Sequence, residues 1–346
     1  MILVDQLRDL FMRGANSKIG QEVQSYSMDF ISRNQKQLMW GFGILFGFIA
    51  LITSPIWITL VVLSSPFIIA GVLLFMYTDA FSPLQRFWFK FVFSLYTQHY
   101  QKNDQIFLNA GYAELDSEDG IFLKTFKDKF DVLRFQLYNY IVMRFGGVNS
   151  MNGLSLLETG CGRGGGIHYL ARELNPQQAL GIDHAQPQID YCRKHWMGDK
   201  LNINFIQHKV EDLSSIVSTN TIDYAVDIES SVFYPNKQRF FCEVSKVLKK
   251  DGTFLYGTMM PAFQMKSIER SLTNQFDIVK SEDITQEVVK ALKLGTQGFT
   301  DLIENNFPKW THWFLKQAYG LEGTYIHKLM ERRVIIYKCY QCTKKK

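Results

Sequence analysis

Leu154-Ser155-Leu156-Leu157-Glu158-Thr159-Gly160-Cys161-Gly162-Arg163-Gly164-Gly165-Gly166 decides how this chain folds. A short apolar run ends in an acid, glycines crowd the next turn, and Ile167-His168-Tyr169-Leu170-Ala171-Arg172 continues as a helix. Strand, glycine loop and helix in that order open a nucleotide-binding βαβ unit. Without a Cβ the backbone turns sharply and comes close to a ligand. The amides at the helix N-terminus then face that ligand.

Downstream, strands are expected at 179–183, 203–207, 224–228 and 253–259, with helices at 187–195 and 238–248 between them. Upstream, a helix is expected over 130–145, stopped by Gly146-Gly147. This alternation predicts a seven-stranded, mostly parallel Rossmann-like α/β sheet with helices on both faces. Its closing strand, near 333–340, should run antiparallel, and 261–330 reads as an irregular helical insert. Ligands in such sheets sit at the C-terminal strand ends, where Glu158, Asp183 and Glu229 all fall.

From Gln37 to Thr78 there is no charged side chain. That run is too long for one membrane span of roughly 20 residues and suits two. Thr53-Ser54-Pro55 offers caps and a first-turn proline at its middle. The expected organisation is an amphipathic segment at 1–37, a transmembrane helical hairpin at 38–78 and an interfacial aromatic helix at 79–104. A catalytic-type domain follows at 105–346. Arg33 and Lys36 flank the hairpin at one end and Arg86 and Lys90 at the other, so both chain ends are expected on one side of the membrane. The mitochondrial inner membrane and the endoplasmic reticulum are the two compartments considered. Acids before the run (Asp5, Asp9, Glu22, Asp29) argue against a cleaved signal peptide.

Five cysteines form no paired framework, and Cys339-x-x-Cys342 lacks a second half-site, so no metal centre is expected. A net charge of +5 without a basic, aromatic-interleaved stripe gives no reason to expect nucleic acid.

The glycine loop fits two ligands. Gly160, Gly162 and Gly165 match the dinucleotide spacing G-x-G-x-x-G, with Asp183 placed for a ribose. Glu158, Gly160, Gly162 and Gly164 match E-x-G-x-G-x-G instead. The Glu158 carboxylate repels a pyrophosphate and favours a cationic ligand, which points to a sulfonium cofactor.

On these residues the chain from about 105 to 343 resembles the class I S-adenosylmethionine-dependent methyltransferases. It is most similar to the branch that methylates phenolic lipids, polyketides and sterols, such as the phthiotriolone-type enzymes. The resemblance rests on the loop from Glu158 to Gly166, on Glu229-Ser230-Ser231 with Tyr234-Pro235, on Leu248-Lys249-Lys250-Asp251-Gly252, and on Asn109-x-Gly111-Tyr112. It implies that Glu158 and the glycines hold the methionine and ribose parts of the cofactor and that Asp183 meets the ribose hydroxyls. It also implies that Asn109 and Tyr112 cap the cofactor. Lys209 stands where the branch has its adenine-binding acid, leaving Glu211 or Asp212 to substitute. Val232 and Phe233 replace the His and Cys of E-S-S-H-C-Y-P. Valine and phenylalanine are not bases, so Glu229 and Tyr234 become the catalytic candidates, with His168 and His184 behind them.

Two functions follow. The first is a membrane-anchored methyltransferase acting on a lipid-soluble acceptor, phenolic, quinone-like or sterol. The second is a catalytically impaired fold serving as an accessory subunit of a membrane complex. Lys209, Val232 and Phe233 favour the second and predict weak cofactor binding with slow or absent transfer.

Overall fold

Ser155–Thr159 forms β1, buried along its whole length in a computed structural model that describes residues 109–123, 129–198 and 201–345. A parallel strand covered on both faces needs apolar or satisfied residues at every position, and Ser155-Leu156-Leu157-Glu158-Thr159 meets that with two leucines between hydrogen-bonded polar side chains. Gln178–Asp183 (β2) and Ile203–Gln207 (β3) extend the sheet on one side. Ile222–Ile228 (β4) and Leu248–Pro261 (β5) extend it on the other, all four pairings being parallel. Phe276–Asp283 (β6) and Ile335–Lys344 (β7) complete it, with β7 inserted antiparallel between β5 and β6. The seven-stranded order is β3-β2-β1-β4-β5-β7-β6. The direction of winding reverses between β1 and β4, which opens a crevice above their C-terminal ends.

Adjacent residues of β1 point to opposite faces, and two cores result. Leu156 packs with Ile167 and Leu170 of α2 (Gly165–Leu174) and Ile189 of α3 (Gln186–Trp196). Leu157 packs with Phe240, Phe241 and Val244 of α4 (Lys237–Val247) and Met265 and Ile268 of α5 (Ala262–Thr273). An aromatic tier of Phe240, Phe241, Phe254 and Tyr256 fills the second face, mostly edge to face.

Three expectations are corrected. The helix upstream of β1 is α-helical only over Lys129–Tyr138 (α1) and continues as a π-helix over Asn139–Phe145, closed by Gly146 N–H on Ile141 O at 3.1 Å. The wider turn is held by side-chain contacts of the kind that override propensity: Asn139 Nδ2 donates to Tyr169 Oη at 2.9 Å and Tyr140 Oη to Glu282 at 2.8 Å. The stretch 261–330 is largely helical, as expected, but regular and interrupted by a strand. It holds α5, the strand β6, and α6 (Thr285–Asn306), α7 (Lys309–Ala318) and α8 (Tyr325–Glu331). Charges in Phe276-Asp277-Ile278-Val279-Lys280-Ser281-Glu282-Asp283 hide β6, because it is an edge strand and one of its faces is solvated. The closing strand starts two residues late and runs on to Lys344.

The segments 1–37, 38–78 and 79–104 lie outside the described residues. Among the described residues no helix is long and apolar enough to cross a membrane.

Candidate active site

β1 brings Glu158 to the crevice with only 1% of its surface exposed. Its Oε1 accepts the Tyr138 hydroxyl at 2.5 Å, while its buried Oε2 has no hydrogen-bond partner. Burial pushes the carboxyl up to about 8, against the Tyr138 hydroxyl and the Ile167 amide, which pull it down; Asp227 and Asp183 add to the rise. A buried carboxylate with an idle oxygen is costly by itself and is relieved by a cation.

Gly160, Gly162 and Gly164 have φ of 63°, 52° and 76°, the left-handed region that glycine enters without strain. At Gly160 a side chain is also excluded by contact, since a Cβ would sit 2.3 Å from Ser230 Cβ. Asp183 ends β2 and ties the loop: Oδ2 accepts from Gly162 N at 3.0 Å and Oδ1 from Ala185 N at 2.8 Å. A carboxylate offers about four acceptor positions, so Asp183 keeps capacity for a ligand hydroxyl. Trp196 closes the loop's other side, its Nε1 donating to Arg163 O at 2.7 Å.

After β3 the chain makes a 3-10 turn, Val210–Ser215, and the two acids there part company. Asp212 leaves helical geometry at φ −142° and ψ 32° and lies on the surface, 3.8 Å from Arg239 Nη2. Glu211 is partly buried, and its Oε1 is buried without a hydrogen-bond partner. Lys209 is exposed. Of the two substitutes for the missing acid, Glu211 is the one with a buried oxygen left without a hydrogen bond.

Glu229 follows β4 with φ of 62°, a conformation costly for a residue with a side chain. Its amide is held by Gly257 O at 2.9 Å, and both carboxylate oxygens receive the Ala110 amide at 3.0 Å. Asn109 shapes that donor segment: its Oδ1 accepts from Gly111 N at 2.9 Å, and Gly111 has φ of 87°. Tyr112 stacks on Tyr140 with ring centroids 4.1 Å apart, which fixes the segment's far end. Asn109-x-Gly111-Tyr112 therefore clamps the carboxylate through the intervening Ala110. Burial raises the Glu229 carboxyl to about 7, against the Ala110 amide, the Tyr337 hydroxyl and the Arg134 guanidinium, which each lower it.

Above Glu229 lies a cavity of about 60 Å³. Met259 of β5, Leu292 and Phe299 of α6, Tyr319 and Gly320 after α7, and Ile326 and Met330 of α8 line it together with Asn109, Ala110 and Ala318. Among the described residues Glu229 is the one charged side chain on this wall.

Tyr234 is brought elsewhere. Its hydroxyl donates to Ser230 Oγ at 2.9 Å, Ser230 Oγ to Asp227 Oδ2 at 2.7 Å, and Thr159 Oγ1 to the same oxygen at 2.8 Å. This network lies under the glycine loop and outside the cavity wall. Val232 packs on the second core. His168 lies tilted against Trp196 with ring centroids 4.2 Å apart, and His184 Nδ1 lies 3.6 Å from Asp183 Oδ1; neither lines the cavity. Sequence reasoning missed Tyr138, Arg134, Ala110 and Asp227. Only Asp227 carried a signal, as an acid within the buried C-terminal half of a parallel strand. Burial raises it to about 6 against its hydroxyl partners.

An acid and a glycine loop at the switch point of a sheet whose seventh strand is antiparallel define a class I S-adenosylmethionine-dependent methyltransferase fold. The chain belongs to the methyltransferases, with mycobacterial lipid methyltransferases among its relatives. A methyltransferase-domain family model matches residues 150–312. The fatty-acid O-methyltransferase of Mycolicibacterium smegmatis is 30% identical over 220 residues, 63% of this chain and 77% of the relative. The phthiotriol/phenolphthiotriol dimycocerosates methyltransferase of Mycobacterium tuberculosis is 26% identical over 268 residues, 77% and 94% of the two chains. Among solved structures, a cyclopropane synthase of Mycobacterium tuberculosis matches at a TM-score of 0.56 and 14% identity, over 72% of this chain and 93% of that one. A [4+2]-cyclase matches at the same TM-score with 16% identity, over 74% and 93%. At such identities the likeness is one of fold, and the cyclase shows that the fold alone does not fix the reaction.

Proposed function

We propose that this protein transfers a methyl group from S-adenosylmethionine to an acidic hydroxyl on a lipid-soluble acceptor, with Glu229 as the base. One observation carries the reading: a carboxylate poised near neutrality at the floor of an otherwise uncharged, apolar cavity. The pairing of an apolar wall with a few fixed polar groups is how small-molecule sites recognise such acceptors.

The residues present fit the cofactor at two of its ends. The idle Glu158 Oε2 suits the cationic end, and Asp183 suits the ribose. Glu211 is the remaining candidate for the adenine amino group, with Lys209 turned to solvent. When bound, S-adenosylmethionine supplies an electrophilic methyl group. Glu229 holds the acceptor hydroxyl and takes its proton as the oxygen becomes nucleophilic. A positioned base is worth about 10²–10⁴ in rate, most when its pKa lies near the working pH, which is where burial has set Glu229. The cavity walls exclude water and place the acceptor.

The same charge discriminates between acceptors. A fatty-acid carboxylate entering this cavity meets Glu229 and no cation on the wall; a hydroxyl meets a base. A phenolic or enolic hydroxyl suits it better than an aliphatic alcohol, because its proton is far easier to remove. Val232 and Phe233 cease to be an impairment once the base comes from Glu229. Membrane anchoring through residues 38–78 remains part of the proposal, on the strength of the uncharged run between Gln37 and Thr78.

Methyl transfer from labelled S-adenosylmethionine, measured with long-chain phenols and fatty acids side by side, tests this reading. Phenols should be methylated and fatty acids ignored. Tight cofactor binding with no transfer to any hydroxyl lipid would instead favour the accessory-subunit reading.

A further inference from the structure

α7 and α8 wall the cavity on one side and carry an aromatic, cationic surface on the other. Trp313 and Phe314 on α7 are 65% and 54% exposed, and Tyr325 on α8 is 57% exposed. Tyr325 N donates to Gln317 Oε1 at 2.8 Å, which ties the start of α8 to the end of α7. Leu315 and Tyr319 pack inward on Phe299, Ile303 and Leu321. The outward aromatics are therefore additional to the apolar side that α7 needs for folding. Lys309, Trp313 and Lys316 are spaced four and three residues apart, so they share one face of α7. Lys316 pairs with Glu304 at 2.7 Å and Arg333 with Asp283 at 2.6 Å, while Lys309, Lys328 and Arg332 stand exposed on the same stretch.

We propose that the α7–α8 face docks on an anionic lipid bilayer and passes the acceptor from the membrane into the cavity; this rests on the acceptor reading above. Trp and Tyr partition to the headgroup region, and Lys beside them is drawn to anionic headgroups while its stem covers apolar surface. Charge complementarity selects an anionic bilayer over a second copy of this chain, whose matching face carries the same exposed Lys309, Lys328 and Arg332. The position selects it again, because the residues between and within these helices, Tyr319, Gly320, Ile326 and Met330, form the cavity wall.

Two measurements on the full chain, reconstituted in phosphatidylcholine vesicles with and without phosphatidylserine, test this. Brominated acyl chains quench tryptophan at the bilayer surface, and the difference between wild type and Trp313→Phe isolates the signal of Trp313. Docking predicts that this signal is quenched, more strongly with phosphatidylserine. An unquenched Trp313 overturns the proposal, whether residues 1–108 of this chain or a second copy cover the face. The second measurement is transfer by Trp313→Ala/Phe314→Ala. It should fall roughly tenfold for a long-chain phenol embedded in the vesicles and stay unchanged for a short, water-soluble phenol. Equal transfer to the embedded phenol by variant and wild type overturns delivery through this face. Quenching of Trp313 without turnover of either phenol supports docking and sinks the acceptor reading instead, so the two failures are separable.

Discussion

Glu158 and Glu229 are both buried strand-end carboxylates with raised pKa values, yet the structure gives them different surroundings. Glu158 has a buried oxygen that makes no hydrogen bond among the described residues. A cation reaching it must first find it ionised, so affinity for S-adenosylmethionine should climb as pH rises from 6 towards about 8 and then level off. Calorimetry in buffers of different ionisation enthalpy should detect a proton released on binding. In Glu158→Gln that release should vanish and affinity fall by roughly tenfold to a hundredfold. Glu229 has both oxygens on the Ala110 amide and faces the cavity. The proposed role as base requires the ionised form, so the rate of methyl transfer should rise with pH to a plateau above about 7. Glu229→Gln should lower kcat by about 10²–10⁴ and leave cofactor affinity unchanged. A variant that retains wild-type kcat would move the base elsewhere.

At the level of elements, the proposed reaction assigns the cofactor to the glycine loop and the acceptor to the helical wall. Gly160→Ala places a methyl against Ser230 in a left-handed backbone, so it is strained twice. The variant should lose about 1–3 kcal/mol of stability and most cofactor affinity, read by thermal melting with and without S-adenosylmethionine. Leu292→Trp on α6 should act on the other side only. It fills a cavity of about 60 Å³, so KM for the lipid should rise while cofactor affinity holds. Parallel loss of both affinities would mean that the two sites are not separate. The irregular features of these elements were poorly legible in sequence. The π-turn at Asn139–Phe145 and the edge strand β6 depend on distant partners, such as Tyr169 for Asn139, Glu282 for Tyr140 and β7 for β6. Local periodicity carries no information about such partners.

Across the whole molecule, the buried acids set a pH dependence of stability. Glu158, Glu229 and Asp227 have folded pKa values raised to about 8, 7 and 6, above their unfolded values. Between about pH 4.5 and 8 the folded chain binds more protons than the unfolded one, so stability falls as pH rises. Asp223 and Glu243, held low mainly by Lys249 and by Lys246 with Ser214 against the opposing effect of burial, act in the opposite sense only under more acidic conditions. The ligand-free protein should therefore melt at a higher temperature near pH 5 than at pH 8. S-adenosylmethionine should narrow that gap by pairing with Glu158. A melting temperature that climbs from pH 5 to 8 without ligand would contradict these assignments. For the N-terminal region, cysteine labelling at residues 27 and 102 in sealed vesicles should report the same side of the membrane. Opposite sides would mean a single span.

The sequence by itself determined the parallel sheet, the glycine loop and the strand-end acids, because each is written locally. Two-residue alternation, buried apolar runs and glycines at left-handed positions need no distant partner to be read. It also named Glu229 and Asp183 from their places after strands. Only the tertiary structure distinguished Glu229 from Tyr234 and Glu211 from Asp212. The cavity above Glu229 is assembled from helices 60 to 100 residues further along the chain, and the Asn109–Tyr112 segment reaches it from the other direction. Burial by those distant elements sets the acid's pKa, so neither its environment nor its chemistry is encoded near Glu229 itself.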